Sequence, residues 1–231
     1  MPKVVQDHFP RTINQYVPNM EFAADVVGDI VIANLGAPAA PDPDGIWDGV
    51  SATDSATSYT SANYKNTFDG SSTSLTSTSG MIDATFGRAL TATGSAGSNH
   101  VCTISGRDYL GQPMKENVTL SGTSVIAGKK AFKYVDKLEV AVGAAGDTVD
   151  VGWGDVLGIP YKAELSLSCS EDGATSSPTF VAGIDTDPQT AVTADPRGTY
   201  DPASACNGSK VTEVRYIADT SDLHGVEQFN G

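Results

Sequence analysis

An alternation of apolar and polar side chains over residues 132–142 constrains the fold more than any other feature. Phe132, Tyr134, Leu138, Val140 and Val142 fall on one parity, and Lys133, Lys137 and Glu139 on the other. A period of two over this length specifies a strand with one buried and one wet face. Asp136 breaks the apolar parity and marks either a bulge or a partner contact. The same grammar recurs at 89–93, 101–105, 116–120, 149–153, 163–169 and 211–218, with a further strand at 179–184. Residues 99–160 are expected to form an antiparallel meander. No segment carries a long helical period. The predicted class is all-β, with an antiparallel sandwich or jelly-roll-like core.

At 231 residues the chain is long enough to bury a sizeable core. Its net charge of −14 argues against binding nucleic-acid phosphates or an anionic membrane surface. Cys102, Cys169 and Cys206 are too far apart for a structural zinc motif and are odd in number, which gives no disulfide framework; Cys102 and Cys169, each in a predicted strand, are expected as buried free thiols. The first residues lack the apolar run of a signal peptide, and no run is long enough for a membrane helix.

The predicted organisation is an extended N-terminal arm (1–21), a β domain (22–218) and a C-terminal arm (219–231). Within the domain the clearest strands lie at 89–168 and 211–218, and long loops are expected at 34–80 and 185–208. Pro2, Pro10 and Pro18 punctuate the N-terminal arm, yet Val4, Val5, Phe9, Ile13 and Tyr16 make it apolar, so it is expected to lie on a surface. Residues 22–33 suit two short strands or one bent one. Residues 34–49 hold three prolines, three glycines and three aspartates, a loop composition in which turn chemistry explains Asp42, Asp44 and Asp48 better than calcium does.

No phosphate-binding loop, zinc-protease helix or nucleophile elbow is present. His100 and Cys102 share a strand face but have no third residue to complete a nucleophile. No enzyme activity, cofactor or metal is expected. Trp47, Tyr59 and Tyr64 are the best aromatics for a glycan-binding row, should the chain be a carbohydrate-binding module.

The string GRDYLGQPMKENVTLSGTSVIAGKKAFKYVDKLEV, followed by VGWGDVLGIP, resembles a segment of tailed-bacteriophage virion proteins, closest to head decoration or cement proteins. Its pieces are the G-x-D-x-x-G-x-P-x-x-E-x-x-T-L-x-G hairpin, the G-x-K-A-F-K strand entry and the V-G-x-G-D-x-L-G-I-P exit; DPRGTYDPASACNGSKV fits the same kind of protein. The resemblance implies a protein made in the host cytoplasm and placed on the capsid exterior, where it binds the major capsid protein and stabilises the shell. A homotrimer is implied in part by the same resemblance. At least one of the acid-poor stretches 1–20 and 86–107 is expected in the subunit contact. Tail, neck or head-fibre proteins share such modules and remain the alternative. Candidate interface residues are Val4, Val5, Phe9, Ile13, Tyr16, Arg197, Tyr200 and Phe229.

Overall fold

The computed structural model describes residues 24–27, 30–53, 55–60, 62, 64, 81–141, 146–186 and 190–226. These residues are all-β, arranged in three antiparallel sheets. The first sheet has the order β1 (Ala24–Val27), β2 (Ile30–Gly36), β15 (Thr212–Ala218), β11 (Ala163–Glu171) and β12 (Ala174–Ser176). In the second, β13 (Thr179–Ala182), β14 (Gly198–Asp201), β10 (Thr148–Gly158), β5 (Arg88–Gly94) and β8 (Ile126–Phe132) lie side by side, and β3 (Asp42–Ser51) also pairs with β10. The third runs β4 (Thr57–Thr60), β9 (Tyr134–Val140), β6 (Val101–Arg107) and β7 (Pro113–Thr119).

Two apolar cores result. The larger lies between the second and third sheets and holds Trp47, Leu90, Ile104, Val118, Phe132, Leu138, Val151 and Trp153. The smaller packs the first sheet, through Val31, Ala33, Val214 and Tyr216, against Phe86, Leu157, Ile159 and Tyr200. β10 serves both cores: Val149, Val151 and Trp153 enter the larger and Leu157 the smaller. Its pairing with β5 shifts register between Trp153 and Leu157, where the strand passes from one core to the other.

The alternation at 132–142 proves to span a sheet change. β8 ends at Phe132 in the second sheet and β9 begins at Tyr134 in the third, so the expected simple meander is broken at Lys133. Lys133 holds that corner by donating from Nζ to the carbonyls of Ile82 and Ala84, at 2.9 and 2.8 Å. Asp136 sits at a bulge: Ser105 pairs with Lys137 and Gly106 with Val135, which leaves Asp136 unmatched. The extra residue lets Val135 point inward while Asp136 stays exposed. The two-strand reading of residues 22–33 agrees with the hairpin β1–β2.

Residues 34–49, expected as loop, instead contribute β3. Their prolines are tolerated because β3 pairs with β10 alone and its register slips twice along the way. Ile46 and Trp47 are fully buried and supply the apolar burial that holds the strand in place. β14 likewise lies inside the expected loop 185–208. The acid-free stretch 86–107 contains β5 and β6, which line the larger core.

Gly152 is what admits β3. A Cβ at this position would lie 1.8 Å from the Asp42 carbonyl oxygen, a backbone atom that cannot swing away. Gly152→Ala should therefore cost at least about 1–3 kcal/mol, the usual overpacking range, and loosen β3. Urea denaturation should show the loss, and tryptophan emission should shift red as Trp47 is exposed.

Candidate functional site

Quoted motif segments from different parts of the chain meet in one buried polar network. Arg197 and Asp108 are 1% and 0% exposed, and Arg197 Nη1 donates to Asp108 Oδ2 at 2.8 Å. The other carboxylate oxygen, Asp108 Oδ1, accepts the backbone N–H groups of Leu110 and Gln112, which closes the tight loop after β6. The Arg197 guanidinium lies 4.9 Å from the centre of the Tyr109 ring, and that ring stacks edge-on against Phe86. Asp195 completes the join: its Oδ1 accepts from Arg197 N and its Oδ2 from Ala131 N in β8. Arg197 is thus an internal staple with one charged bond to Asp108, not a bidentate fork. Arg197→Met would strand the Asp108 carboxylate in the interior, at a cost of about 3–5 kcal/mol. Urea denaturation should register that loss, and Asp108→Asn added to Arg197→Met should recover part of it.

Glu116 links the two facing edges. From β7 its carboxylate accepts the N–H groups of Lys129 and Lys130, within the irregular part of β8. Gly128 makes room, since a Cβ there would lie 2.6 Å from Glu116 Oε2. Lys130 is fully buried and donates from Nζ to the Thr190 carbonyl at 3.0 Å, while Asn117 N donates to Ala191 O. Glu116 and Asp195 together occupy three successive N–H groups of the β8 edge, at 129, 130 and 131.

Burial pushes the Glu116 carboxyl up to about 7, against the backbone bonds from Lys129 and Lys130 that favour its charged form. The folded state therefore holds this proton more tightly than the unfolded state does. Its contribution to stability is complete below the unfolded value near 4.5 and is lost as the pH rises through about 7. Urea denaturation of Glu116→Gln should show a gain over wild type at pH 8 of up to about 3 kcal/mol, and little difference near pH 4.5.

The other sequence-selected residues are placed as follows. Val4, Val5, Phe9, Ile13, Tyr16 and Phe229 lie outside the described residues. Arg197 and Tyr200 are corrected from interface candidates to interior residues, because each side chain has its partner inside the fold and almost no accessible surface. The Tyr200 hydroxyl donates to Cys169 Sγ, which also contacts Ser176 Oγ. The aromatics named for the alternative carbohydrate-binding reading form no exposed row, since Trp47 and Tyr64 are buried and pack edge to face at 5.1 Å. All three cysteines are buried and free. Cys102 has its thiol pushed up to about 12 by burial, and His100 donates from Nε2 to Asp147 Oδ2 at 2.7 Å, so the pair offers no activated nucleophile. That bond also draws the Asp147 carboxyl below its usual range. Among the described residues no group of three His, Cys, Asp or Glu could hold a metal ion.

The first part of the expected C-terminal arm is docked on the body. Lys162 forms ion pairs with Asp185, Asp219 and Asp222, and its backbone N–H donates to Leu223 O. Leu223 packs against the smaller core, and His224 lies beside Tyr161 with ring centres 5.9 Å apart.

Pattern reasoning missed one surface, the outer face of the first sheet. Leu165, Leu167 and Ile30 are 54%, 47% and 38% exposed, and the registers Leu165↔Ile217 and Ile217↔Ile30 align Leu165, the half-buried Ile217 and Ile30 across three strands. Ile32, on the same face as Ile30, pairs with Arg215. Two bulges in β11, between Ala163 and Leu165 and between Ser166 and Ser168, turn both leucines outward. Simple alternation had counted them with Ala163 and Cys169 on the buried side, and no local signal announces such bulges. Beside this row is a polar cleft of about 380 Å³, with Ser168, Ser170, Thr175, Glu213 and Arg215 in its wall.

No family model, curated protein or solved structure matches the chain.

Proposed function

We propose that the chain is a virion structural protein of a tailed bacteriophage, acting as a decoration protein on the outer surface of the capsid. The observation that carries this reading is the convergence of the quoted motif segments. Asp108 and Glu116 of the hairpin, Lys130 and Ala131 of the strand entry, and Asp195 and Arg197 of the later segment meet in a single network. The resemblance thus follows residues that hold a fold together, rather than turns scattered over a surface.

A decoration protein works by covering its partner. Contacts of modest strength, repeated over several capsid subunits, add through avidity and resist the outward pressure of packaged DNA. An acidic body suits a surface that faces solvent and must repel other particles. In this reading the partners are the major capsid protein and two further copies of the chain, in a trimer on a local three-fold axis. A closed ring leaves no unsatisfied end.

Antibodies raised against the purified protein should label the heads of phage particles whose genome encodes it, in immunogold electron microscopy. Light scattering of the isolated protein should give the mass of a trimer. Label confined to tails or necks would move the assignment to those parts of the virion, and unlabelled particles would remove it.

A further inference from the structure

The third sheet ends at β7 and the second at β8, and among the described residues these two edges are not paired with each other. They are consecutive strands of one splayed hairpin. Its turn carries the Ser121↔Ser124 bridge, and the Glu116 carboxylate spans the far end to the N–H groups of Lys129 and Lys130. Between these two closures lies a slot of about 330 Å³, lined by residues 116–119 of β7 and by Ile126, Ala127 and Lys129 of β8. We propose that this slot takes an extended peptide strand from a partner protein, with a branched apolar side chain turned inward and an acidic one beside Lys129.

The backbone of β7 sets the class of ligand. Leu120 N donates to His100 O on the β6 side, so the even residues of β7 bond β6 and the odd ones turn their backbone groups outward. On that outward side Asn117 N already donates to Ala191 O at 2.7 Å. The contact is a single rung of strand pairing, because the chain turns at once, with Thr193 N bonded to Thr190 O. Thr119, two residues farther on, presents its N–H and C=O to the same side, and no strand among the described residues lies beyond β7. An edge in this state is a template for the backbone of another chain. Extended peptides are held in this way, with affinity from the main chain and specificity from alternate side chains.

The side chains of the slot set the sequence of the guest. Val118 belongs to the larger core and Ile126 packs against it, so an inward apolar side chain adds to burial that already exists. Val192, 66% exposed, also borders the slot and would be covered by a guest. Lys129 gives its backbone N–H to Glu116 but exposes its side chain, a cation on a molecule of net charge −14. An acidic guest residue is therefore favoured beside it. From Glu116 to Thr119 the strand rises about 10 Å, which matches a guest of about four residues. The inference does not rest on the capsid reading, since any protein that offers such a strand would serve.

A nuclear magnetic resonance titration of the full-length chain with the blocked peptide Ac-TVTVTD-NH2 tests it. The amides of Asn117, Thr119, Ala127 and Lys129 should shift together and saturate. The peptide Ac-TVTVTK-NH2 should bind about threefold more weakly. Lys129→Glu keeps the backbone N–H that Glu116 holds, and it should reverse this preference. Thr119→Pro removes the outward N–H and leaves the bonds to β6, at an edge where proline is tolerated. It should weaken binding about tenfold, with amides remote from the slot unchanged. No shift at the slot amides, or a preference that Lys129→Glu leaves unaltered, would overturn the inference. Undiminished binding by a folded Thr119→Pro chain would overturn it too. Shifts of the same amides with protein concentration alone would assign the slot to a second copy, against a partner protein.

Discussion

The fold depends on an ion pair that has almost no contact with water. Arg197 and Asp108 are expensive to bury; Asp108 is bonded beyond the pair, whereas the Arg197 guanidinium has Asp108 and the face of Tyr109 as its neighbours and keeps a buried Nε without a hydrogen-bond partner. Asp108 also terminates two backbone donors of its own loop. Arg197 lies over Tyr109 and receives its orientation from Asp195, which accepts the Arg197 backbone N–H. Asp195 reaches onward to β8, where Glu116 arrives from β7. Thus the third sheet, the edge of the second and the entry to β14 are held by one connected set of polar groups. Two apolar cores alone would leave their relative placement underdetermined, since apolar packing has little directional preference. Hydrogen bonds with fixed donors and acceptors supply that direction.

β10 provides the mechanical continuity. A single strand contributes to both cores, and its register shift falls where the chain leaves one and enters the other. Arg88, fully buried, sits at this crossing and donates from Nε to the Gly154 carbonyl, with Asp83 and Asp155 as ionic partners. Charged groups therefore mark both joints of the molecule, and the apolar cores lie to either side.

Alternation identified the strands wherever one face is wet and the other dry. β6, β9 and β15 were legible for that reason, and so was the irregularity at Asp136. β3 was not, because its prolines and aspartates carry loop chemistry and its place depends on Gly152, more than a hundred residues away in the chain. β8 was not, because Gly128, Lys129 and Lys130 serve the Glu116 and Asp195 carboxylates rather than a two-sided sheet. Arg197 stood out in the sequence as an arginine amid acids, and an internal staple was one of its two readings. Which carboxylate it would meet was beyond any local pattern, since its partner lies 89 residues earlier. The outward leucines of β11 were hidden by bulges that shift parity without changing composition.

The spacing of the strands in the second sheet has a consequence for how the chain reaches this state. β3, β5, β8, β10 and β14 are neighbours in space, yet they are drawn from residues 42 to 201. Most of the loop-closure entropy is spent before the sheet is whole, a topology that folds slowly. During synthesis the larger core can gather once β10 is available and Glu116 can already reach Lys129 N and Lys130 N, but Ala131 N and Lys130 Nζ must wait for Asp195 and the Thr190 carbonyl. In that interval β8 presents a partly closed edge and a buried-type lysine to the surroundings, the conditions under which nascent β proteins associate wrongly. The carboxylates of Glu116 and Asp195 thus also set a time limit: the vulnerable edge closes fully only after residue 195 has arrived.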